Sequence, residues 1–237
     1  MITKFDRPYL SATPAYCMAC ESAGFILDTD TDTARACVCQ SDHLAARLFT
    51  RARVPAGFFG ACRELKPPAV GTMERGVWRR AAKLKDALVI AAVGLEGSNP
   101  PLDARVIGGI AGGPGAGKSW LLASAVWSAC LSGIGGAYLS IADPFAAFKA
   151  FGDGDLDRGG RRARRVPFLA LDDVGGHRNE TSSSMVRDLI QARLGDARVT
   201  LVATRNTAEA IGGELGWSVA DALRPSTVVL LHDSMRA

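Results

Sequence analysis

The sequence predicts a three-layer α/β protein built on a five-stranded parallel β-sheet, preceded by a small cysteine-containing module. Three observations support this fold class. From residue 105 onward, short apolar runs alternate with helix-forming segments, as in proteins whose parallel strands are joined by helices. A glycine-rich turn follows the first of these apolar runs, and a later run ends in two aspartates. Near the N-terminus, four cysteines lie within 23 residues.

The N-terminal cysteines have the order C-x-x-C followed by C-x-C, and they are Cys17, Cys20, Cys37 and Cys39. Two close pairs can place four thiolates around one tetrahedral Zn²⁺, so we predict a structural zinc site. The segment between the pairs, residues 24–35, predicts a β-hairpin with a polar turn over 28–33. An iron–sulfur cluster would take the same ligands, and ordinary reduced thiols are the other alternative.

Two helices are predicted between the cysteines and the sheet. The first starts near Ser41, and its apolar positions are spaced as one helical face. The second covers 72–95 and carries four basic residues in its first half, a pattern that is more often a solvated face than a binding site: Arg79, Arg80, Lys83 and Lys85. The predicted division is a zinc-binding module over 1–50, a linker and basic helix over 51–104, and a core over 105–237.

The glycine-rich turn matches the phosphate-binding pattern G-x-x-x-x-G-K-[ST], with a predicted strand over 106–111 before it and a helix over 119–131 after it. Such a turn directs backbone N–H groups at an anion, at the positive end of the helix. Lys118 can reach the β- and γ-phosphates, and the Ser119 hydroxyl can bind Mg²⁺. We therefore predict that the chain binds ATP through Gly112, Gly113, Pro114, Gly115, Ala116, Gly117, Lys118, Ser119 and Trp120.

The next predicted elements are a strand over 136–141, a helix over 144–151 and a loop over 153–165. Five arginines lie within eight residues of that loop. They can grip a nucleic-acid phosphate backbone, or they can form a solvated linker that pairs with the three aspartates before them. The arginines are Arg158, Arg161, Arg162, Arg164 and Arg165.

The apolar run 166–171 ends in Asp172 and Asp173, which predicts paired carboxylates at the C-terminal edge of the parallel sheet. There Asp172 can hold Mg²⁺, directly or through water, and Asp173 can orient or deprotonate the attacking water. The alternative is an acidic strand end that caps a helix.

A helix over 181–194 and a strand over 199–204 follow the acidic pair. Asn206, just after that strand, can contact the γ-phosphate or the attacking water, or it is only a turn residue. Short helices over 208–215 and 218–223 and a strand over 227–231 complete the core.

Composition limits the remaining classes. With 48% hydrophobic and 22% charged residues, the chain can bury a core, and no apolar run approaches the length of about 18 residues that spans a membrane. The first residues lack the apolar run of a signal peptide, so we expect a cytoplasmic protein. A net charge of +4 implies that any nucleic acid is bound by local patches.

These residues resemble the DnaC/DnaI-type replicative helicase loaders, which are AAA+ P-loop ATPases related to the IstB-like transposition ATPases. The resemblance extends over nearly the whole chain and rests on the CxxC…CxC module, the Val54-Pro55 join, GGPGAGKSW, LALDDVGG and the strand ending ATRN. Only 31 residues follow Asn206, too few for the helical lid of most AAA+ proteins.

The resemblance implies Mg²⁺-dependent ATP hydrolysis, stimulated by DNA or a partner. Asp173 stands where many AAA+ ATPases have glutamate, and this shorter carboxylate predicts slow hydrolysis. It implies that the N-terminal module docks on a hexameric DnaB-like helicase, that the core contacts single-stranded DNA, and that ATP-bound copies self-associate through their ATPase cores. By the family pattern, Asn206 matches the residue that senses the γ-phosphate. Arg224 lies near the position of an arginine that completes a neighbour's site, and Arg193 is a reserve candidate. The arginine loop follows the second core strand, where related proteins carry a DNA-contacting insertion.

Three rival functions remain open. An IstB-like ATPase would assist a transposase and would share the same core. A small-molecule kinase would need an arginine-bearing lid over the phosphates, whereas here the arginine-rich stretch precedes the acidic strand. A zinc adaptor would bind ATP without hydrolysing it.

Overall fold

The structure is a computed structural model. It describes residues 18, 21, 25–28, 33–37, 39–58, 72–96, 106–175 and 179–230. The strands are β1 (Phe25–Asp28), β2 (Thr33–Ala36), β3 (Ile107–Gly112), β4 (Gly136–Ser140), β5 (Phe168–Val174), β6 (Val199–Thr204) and β7 (Thr227–Leu230). The helices are α1 (Cys39–Ala52), α2 (Thr72–Glu96), α3 (Lys118–Leu131), α4 (Pro144–Phe151), α5 (Leu156–Arg165), α6 (Glu180–Gly195), α7 (Ala208–Leu215) and α8 (Trp217–Leu223).

A five-stranded parallel sheet forms the middle layer, in the order β4-β5-β6-β3-β7. Successive side chains of a strand point to opposite faces, and both faces of this sheet are apolar. Phe168 and Ala170 belong to the hydrophobic cluster that contains α1, α2 and α3, whereas Leu169 and Leu171 belong to the cluster that contains α4 to α8. Helices therefore cover both faces, and the predicted three-layer α/β fold with five parallel strands is confirmed.

Helix α2 covers Thr72–Glu96 and packs on α3 and on the sheet, within the same hydrophobic cluster as α1. Gly108 of β3 allows close packing, because a Cβ there would lie 2.8 Å from a methyl group of Leu88. Of the basic residues in the first half of α2, Arg79, Arg80 and Lys83 are exposed. Lys85 is instead buried, with its Nζ 3.3 Å from Ser128 Oγ of α3. One of the four basic residues thus contributes to helix packing rather than to a solvated face.

The N-terminal hairpin is confirmed, since β1 and β2 pair antiparallel with Phe25 opposite Ala36. Cys37 and Cys39 follow it, are both buried and pack with Ile26. Cys17 and Cys20 lie outside the described residues. No group of three metal-ligating side chains occurs within the described ranges, and the predicted zinc site stays a prediction, as do the domain boundaries.

The prediction of a loop over 153–165 is wrong, because residues 156–165 form helix α5. The carboxylate of Asp155 caps its N-terminus by accepting a hydrogen bond from the Arg158 backbone N–H at 2.9 Å. Gly159 then allows α5 to pack directly on α4, since a Cβ there would lie 1.7 Å from the Phe148 carbonyl oxygen. Two glycines and a run of arginines suggest a loop in isolation, but a cap and a packed neighbour make this segment helical.

Arg193 of α6 is completely buried. Its Nε donates to Thr200 Oγ1 at 2.9 Å, and burial lowers its pKa to about 9, so that it remains charged at neutral pH. Because it is fully enclosed, Arg193 does not reach a neighbouring molecule, and the reserve expectation that it completes a neighbour's site is wrong. Its guanidinium joins the end of α5 to the starts of β5 and β6 by donating to the carbonyl oxygens of Ala163, Arg164, Val166, Pro167 and Val199.

None of the helices within the described ranges is both long enough and apolar enough to cross a membrane.

We predict that Arg193→Met lowers the free energy of unfolding by about 3 kcal/mol or more, because it leaves several buried carbonyl oxygens without a donor. Chemical denaturation measures this change. Arg187→Ala, on the same helix but at a partly exposed position, is the control and should change stability by less than about 0.5 kcal/mol. Equal stabilities of the two variants would contradict the structural role of Arg193.

Candidate functional site

The glycine-rich turn lies between β3 and α3, at the C-terminal edge of the sheet. Gly115 and Gly117 have φ angles of 79° and 81°, in the left-handed region that favours glycine. Gly117 is the N-cap of α3 and has no side chain to accept from the first-turn N–H groups, and that turn contains no acidic residue. These N–H groups and the helix dipole therefore form a binding site for an anion. Trp120, also in the first turn of α3, is partly buried and packs against the hydrophobic core.

Lys118 is 7% exposed, and its Nζ donates to the carbonyl oxygens of Gly112 and Gly113 at 2.8 Å each. Burial lowers the pKa of Lys118, and the charge of Arg205 lowers it further, while the carboxylates of Asp172 and Asp173 raise it. The lysine is thus held over the turn, within electrostatic reach of both aspartates and of a second cation.

Asp172 is 4% exposed and lies on the face of β5 that packs towards α3. Tyr138 of β4 donates a hydrogen bond to its Oδ2, and the Ser119 hydroxyl lies close enough to the Tyr138 phenol to influence its pKa. Burial, followed by these interactions with Asp172, raises the pKa of Tyr138, so that the phenol remains a donor. The structure therefore brings the two predicted Mg²⁺ ligands to a common neighbour, and both offer the hard oxygen atoms that Mg²⁺ prefers.

Asp173 lies beside Asp172 but is turned differently. The pairing of β5 with β6 is irregular between Leu171 and Val174, and Asp173 adopts a left-handed φ of 58° within this bulge. Its backbone N–H donates to Asp172 Oδ1 at 3.0 Å. The Asp173 side chain is 36% exposed, with Oδ1 3.4 Å from Arg205 Nη2. The bulge thus gives one buried and one accessible carboxylate, as a metal ligand and a water-activating group require.

Asn206 follows β6, and its backbone N–H donates to Thr204 Oγ1 at 2.9 Å. Its side chain packs against Gly175, two residues after Asp173. A Cβ at Gly175 would lie 2.5 Å from Asn206 Nδ2, and Gly175 has a left-handed φ of 82°. Gly175 is therefore the residue that admits the Asn206 side chain next to the acidic pair.

Arg224 is remote from this edge. It precedes β7 at its N-terminal end, whereas the glycine-rich turn follows the C-terminal end of β3, and the two strands are parallel. Its side chain is about half exposed, with Nη1 3.1 Å from Asp221 Oδ1. Arg224 therefore lies outside the chain's own site, and its exposed side chain can contact another molecule.

The five arginines of α5 divide into two groups. Arg162 stacks on the Phe151 ring at 4.4 Å, and Arg164 pairs with Asp196 at 2.8 Å. Arg158, Arg161 and Arg165 are exposed at helical spacings of three and four residues, on one face of α5. We call these three residues the arginine stripe. It extends for about 10 Å along the helix axis.

Sequence reasoning missed Tyr138, Gly175 and Arg205. Tyr138 and Arg205 reach the site only through pairing between strands that are distant in sequence. Arg205 did carry one signal, because it stands at the same strand end as Asn206.

Comparison with solved structures identifies the architecture. The DnaC helicase loader superposes with a TM-score of 0.57 at 19% identity, over 76% of this chain and 100% of the loader. DnaI gives 0.54 at 14% identity, over 74% and 90%. The replication initiator DnaA bound to AMPPCP and single-stranded DNA gives 0.55 at 17% identity, over 76% of this chain and 52% of DnaA, so this chain spans about half of DnaA.

The chain has the fold that these helicase loaders share with part of DnaA. The predicted resemblance to helicase loaders is confirmed at the level of the fold. No protein-family model matches the chain, and no curated protein sequence matches it significantly.

We predict that Gly175→Ala lowers the free energy of unfolding by about 1–2 kcal/mol, because a Cβ there is strained at positive φ and crowds Asn206. Denaturant titration measures the effect. Gly195→Ala, at a helical position with open space, is the control and should be neutral or stabilising. The cost should be smaller when Asn206→Ala is also present, and an undiminished cost would contradict the contact with Asn206.

Proposed function

We propose that this chain is an AAA+ ATPase that binds a hexameric DnaB-like helicase and places it on single-stranded DNA during replication initiation. ATP binding and hydrolysis would switch the assembly and its release. The observation that carries the proposal is the convergence of the glycine-rich turn, Asp172, Asp173 and Asn206 at one edge of a sheet with the helicase-loader fold.

The residues of the site take distinct roles in hydrolysis. The N–H groups of the glycine-rich turn and Lys118 bind the phosphates, while Ser119 and Asp172 would hold Mg²⁺, with Tyr138 orienting the Asp172 carboxylate. Bound Mg²⁺ neutralises charge on the phosphate oxygens. The more accessible Asp173 orients and deprotonates the attacking water, and Asn206 positions the water or the γ-phosphate.

Arg224 supplies the remaining positive charge in trans. Its place at the edge of the sheet opposite to the glycine-rich turn, and its exposure, suit an arginine that reaches the nucleotide of a neighbouring copy. Hydrolysis would then require self-association through the ATPase core.

The arginine stripe is the proposed contact with single-stranded DNA. Exposed guanidinium groups on one helix face can follow successive phosphates without reading bases. Arg162 and Arg164 contact Phe151 and Asp196 within the protein, so we assign them to packing of α5 and not to DNA binding. The DnaA structure that resembles this chain contains single-stranded DNA, which favours nucleic acid as the partner of such a core.

The cysteine module is the proposed docking element for the helicase. Buried Cys37 and Cys39 lie next to each other at the hairpin, as two ligands of one zinc ion would. Cys17 and Cys20 would complete the site.

We predict DNA-stimulated ATP hydrolysis that falls at least about 100-fold in Asp173→Asn, because the variant keeps the shape but loses the base. Phosphate release with and without single-stranded DNA measures this. Asp188→Asn, which changes an exposed carboxylate on α6, is the control and should match the wild type.

Two results would contradict the proposed function. Absence of turnover in the wild type, with DNA and helicase present, would favour a non-hydrolysing zinc adaptor. Stimulation by a transposase but not by a DnaB-like helicase would favour an IstB-like ATPase.

The arginine stripe predicts a salt dependence. Replacing Arg158, Arg161 and Arg165 together with alanine should weaken binding to single-stranded DNA and reduce the slope of log affinity against log salt concentration by about 2, since each phosphate contact contributes about 0.7. Fluorescence anisotropy with a labelled oligonucleotide measures the slope. Arg164→Ala is the matched control on the same helix, and an equal loss in both variants would contradict the stripe.

A further inference from the structure

Arg205 is a cation at the site that the mechanism above does not use. It follows β6 directly and precedes Asn206, so it stands at the same edge as the glycine-rich turn. Its side chain is 61% exposed, and its Nη2 lies 3.4 Å from Asp173 Oδ1. Arg205 therefore contacts the carboxylate to which the mechanism assigns the attacking water.

The contact between Arg205 and Asp173 is suited to exchange. Both side chains reach solvent and their atoms are at the long limit of a hydrogen bond, so the pair contributes little to stability. Asp173 is fixed by its place in the bulge, whereas arginine has a long side chain with many rotamers. When a stronger anion arrives, the arginine is the partner that moves.

A triphosphate would be such an anion. The charge of Arg205 is close enough to Lys118 to lower the pKa of the lysine, so phosphate oxygens that reach Lys118 enter the field of both cations. The planar guanidinium can bind a terminal phosphate through two hydrogen bonds, and charge-assisted bonds of this kind are about twice as strong as neutral ones.

We propose that Arg205 exchanges partners when ATP binds, leaving Asp173 for the terminal phosphate and freeing that carboxylate to hold the attacking water. Arg205 then has two effects. It makes the site prefer ATP to ADP, since only ATP has the terminal phosphate, and it restrains Asp173 until that phosphate is present. This inference rests on the proposed function of the site.

The first test measures affinities for AMPPNP and ADP, with Mg²⁺, by calorimetry. Arg205→Ala should weaken AMPPNP binding about tenfold and change ADP binding less than about twofold. Arg205→Lys, which keeps the charge but not the planar fork, should lie between alanine and wild type.

A matched control lies on the same strand. Arg198 stands at the opposite end of β6 and pairs with Glu96 at 2.6 Å, so Arg198→Ala removes an arginine–carboxylate pair far from the site. It should leave both affinities unchanged. Equal losses of AMPPNP and ADP affinity in Arg205→Ala, or no loss of either, would overturn the inference.

A double-mutant cycle tests the exchange itself. Asp173→Asn removes the competing carboxylate and should raise AMPPNP affinity, and this gain should shrink when Arg205 is alanine. The same gain in both backgrounds would mean that Asp173 acts only by its own charge, which overturns the exchange.

Lys118→Ala separates this inference from the proposed function. It should abolish binding of both nucleotides. If it does not, the proposed function fails. If it does, and Arg205→Ala leaves the preference for AMPPNP over ADP unchanged, only the inference about Arg205 fails.

Discussion

The parallel register of β3, β5 and β6 is the constraint on which the site depends. Because these strands run in the same direction, their C-terminal ends meet at one edge of the sheet. The acidic pair lies in the last residues of β5, and the glycine-rich turn and the Arg205-Asn206 segment follow β3 and β6 at the same edge. Helix α3 covers one face of the sheet and α6 the other, so the segments leave that edge towards different layers. This divergence opens the crevice in which ligands bind in open α/β sheets.

At the opposite edge of the sheet, where the strands begin, buried contacts fix the register of β5 and β6. There Arg193 joins the starts of β5 and β6 to the end of α5 through buried hydrogen bonds. A slip of β5 by one residue would move each of its side chains to the other face of the sheet, and Asp172 would no longer face Tyr138. The geometry of the acidic pair therefore depends on a buried arginine at the far end of the same strands.

Much of this could be predicted from the sequence, because local patterns carry it. The apolar runs and the phosphate-binding motif specify strand, turn and helix over 107–131, and the acidic strand end is equally local. Helix α5 could not, since its helical state depends on a cap and on packing against α4. Tyr138 and Lys85 could not either, because their partners, Asp172 and Ser128, lie on other elements.

Burial separates two arginines of this fold by role: buried Arg193 stabilises the fold, whereas exposed Arg205 can change its partner. Arg193 has no exposed surface and donates hydrogen bonds to Thr200 and to several backbone carbonyl oxygens. Its removal would leave these acceptors without partners. Arg205 is mostly exposed and makes one long contact with a carboxylate, which costs little to break. A switch needs the second kind of interaction at its reactive centre and the first kind around it. Strand β6 has one kind at each end. Arg193 binds Thr200, the second residue of β6, and Arg205 is the first residue after the strand ends.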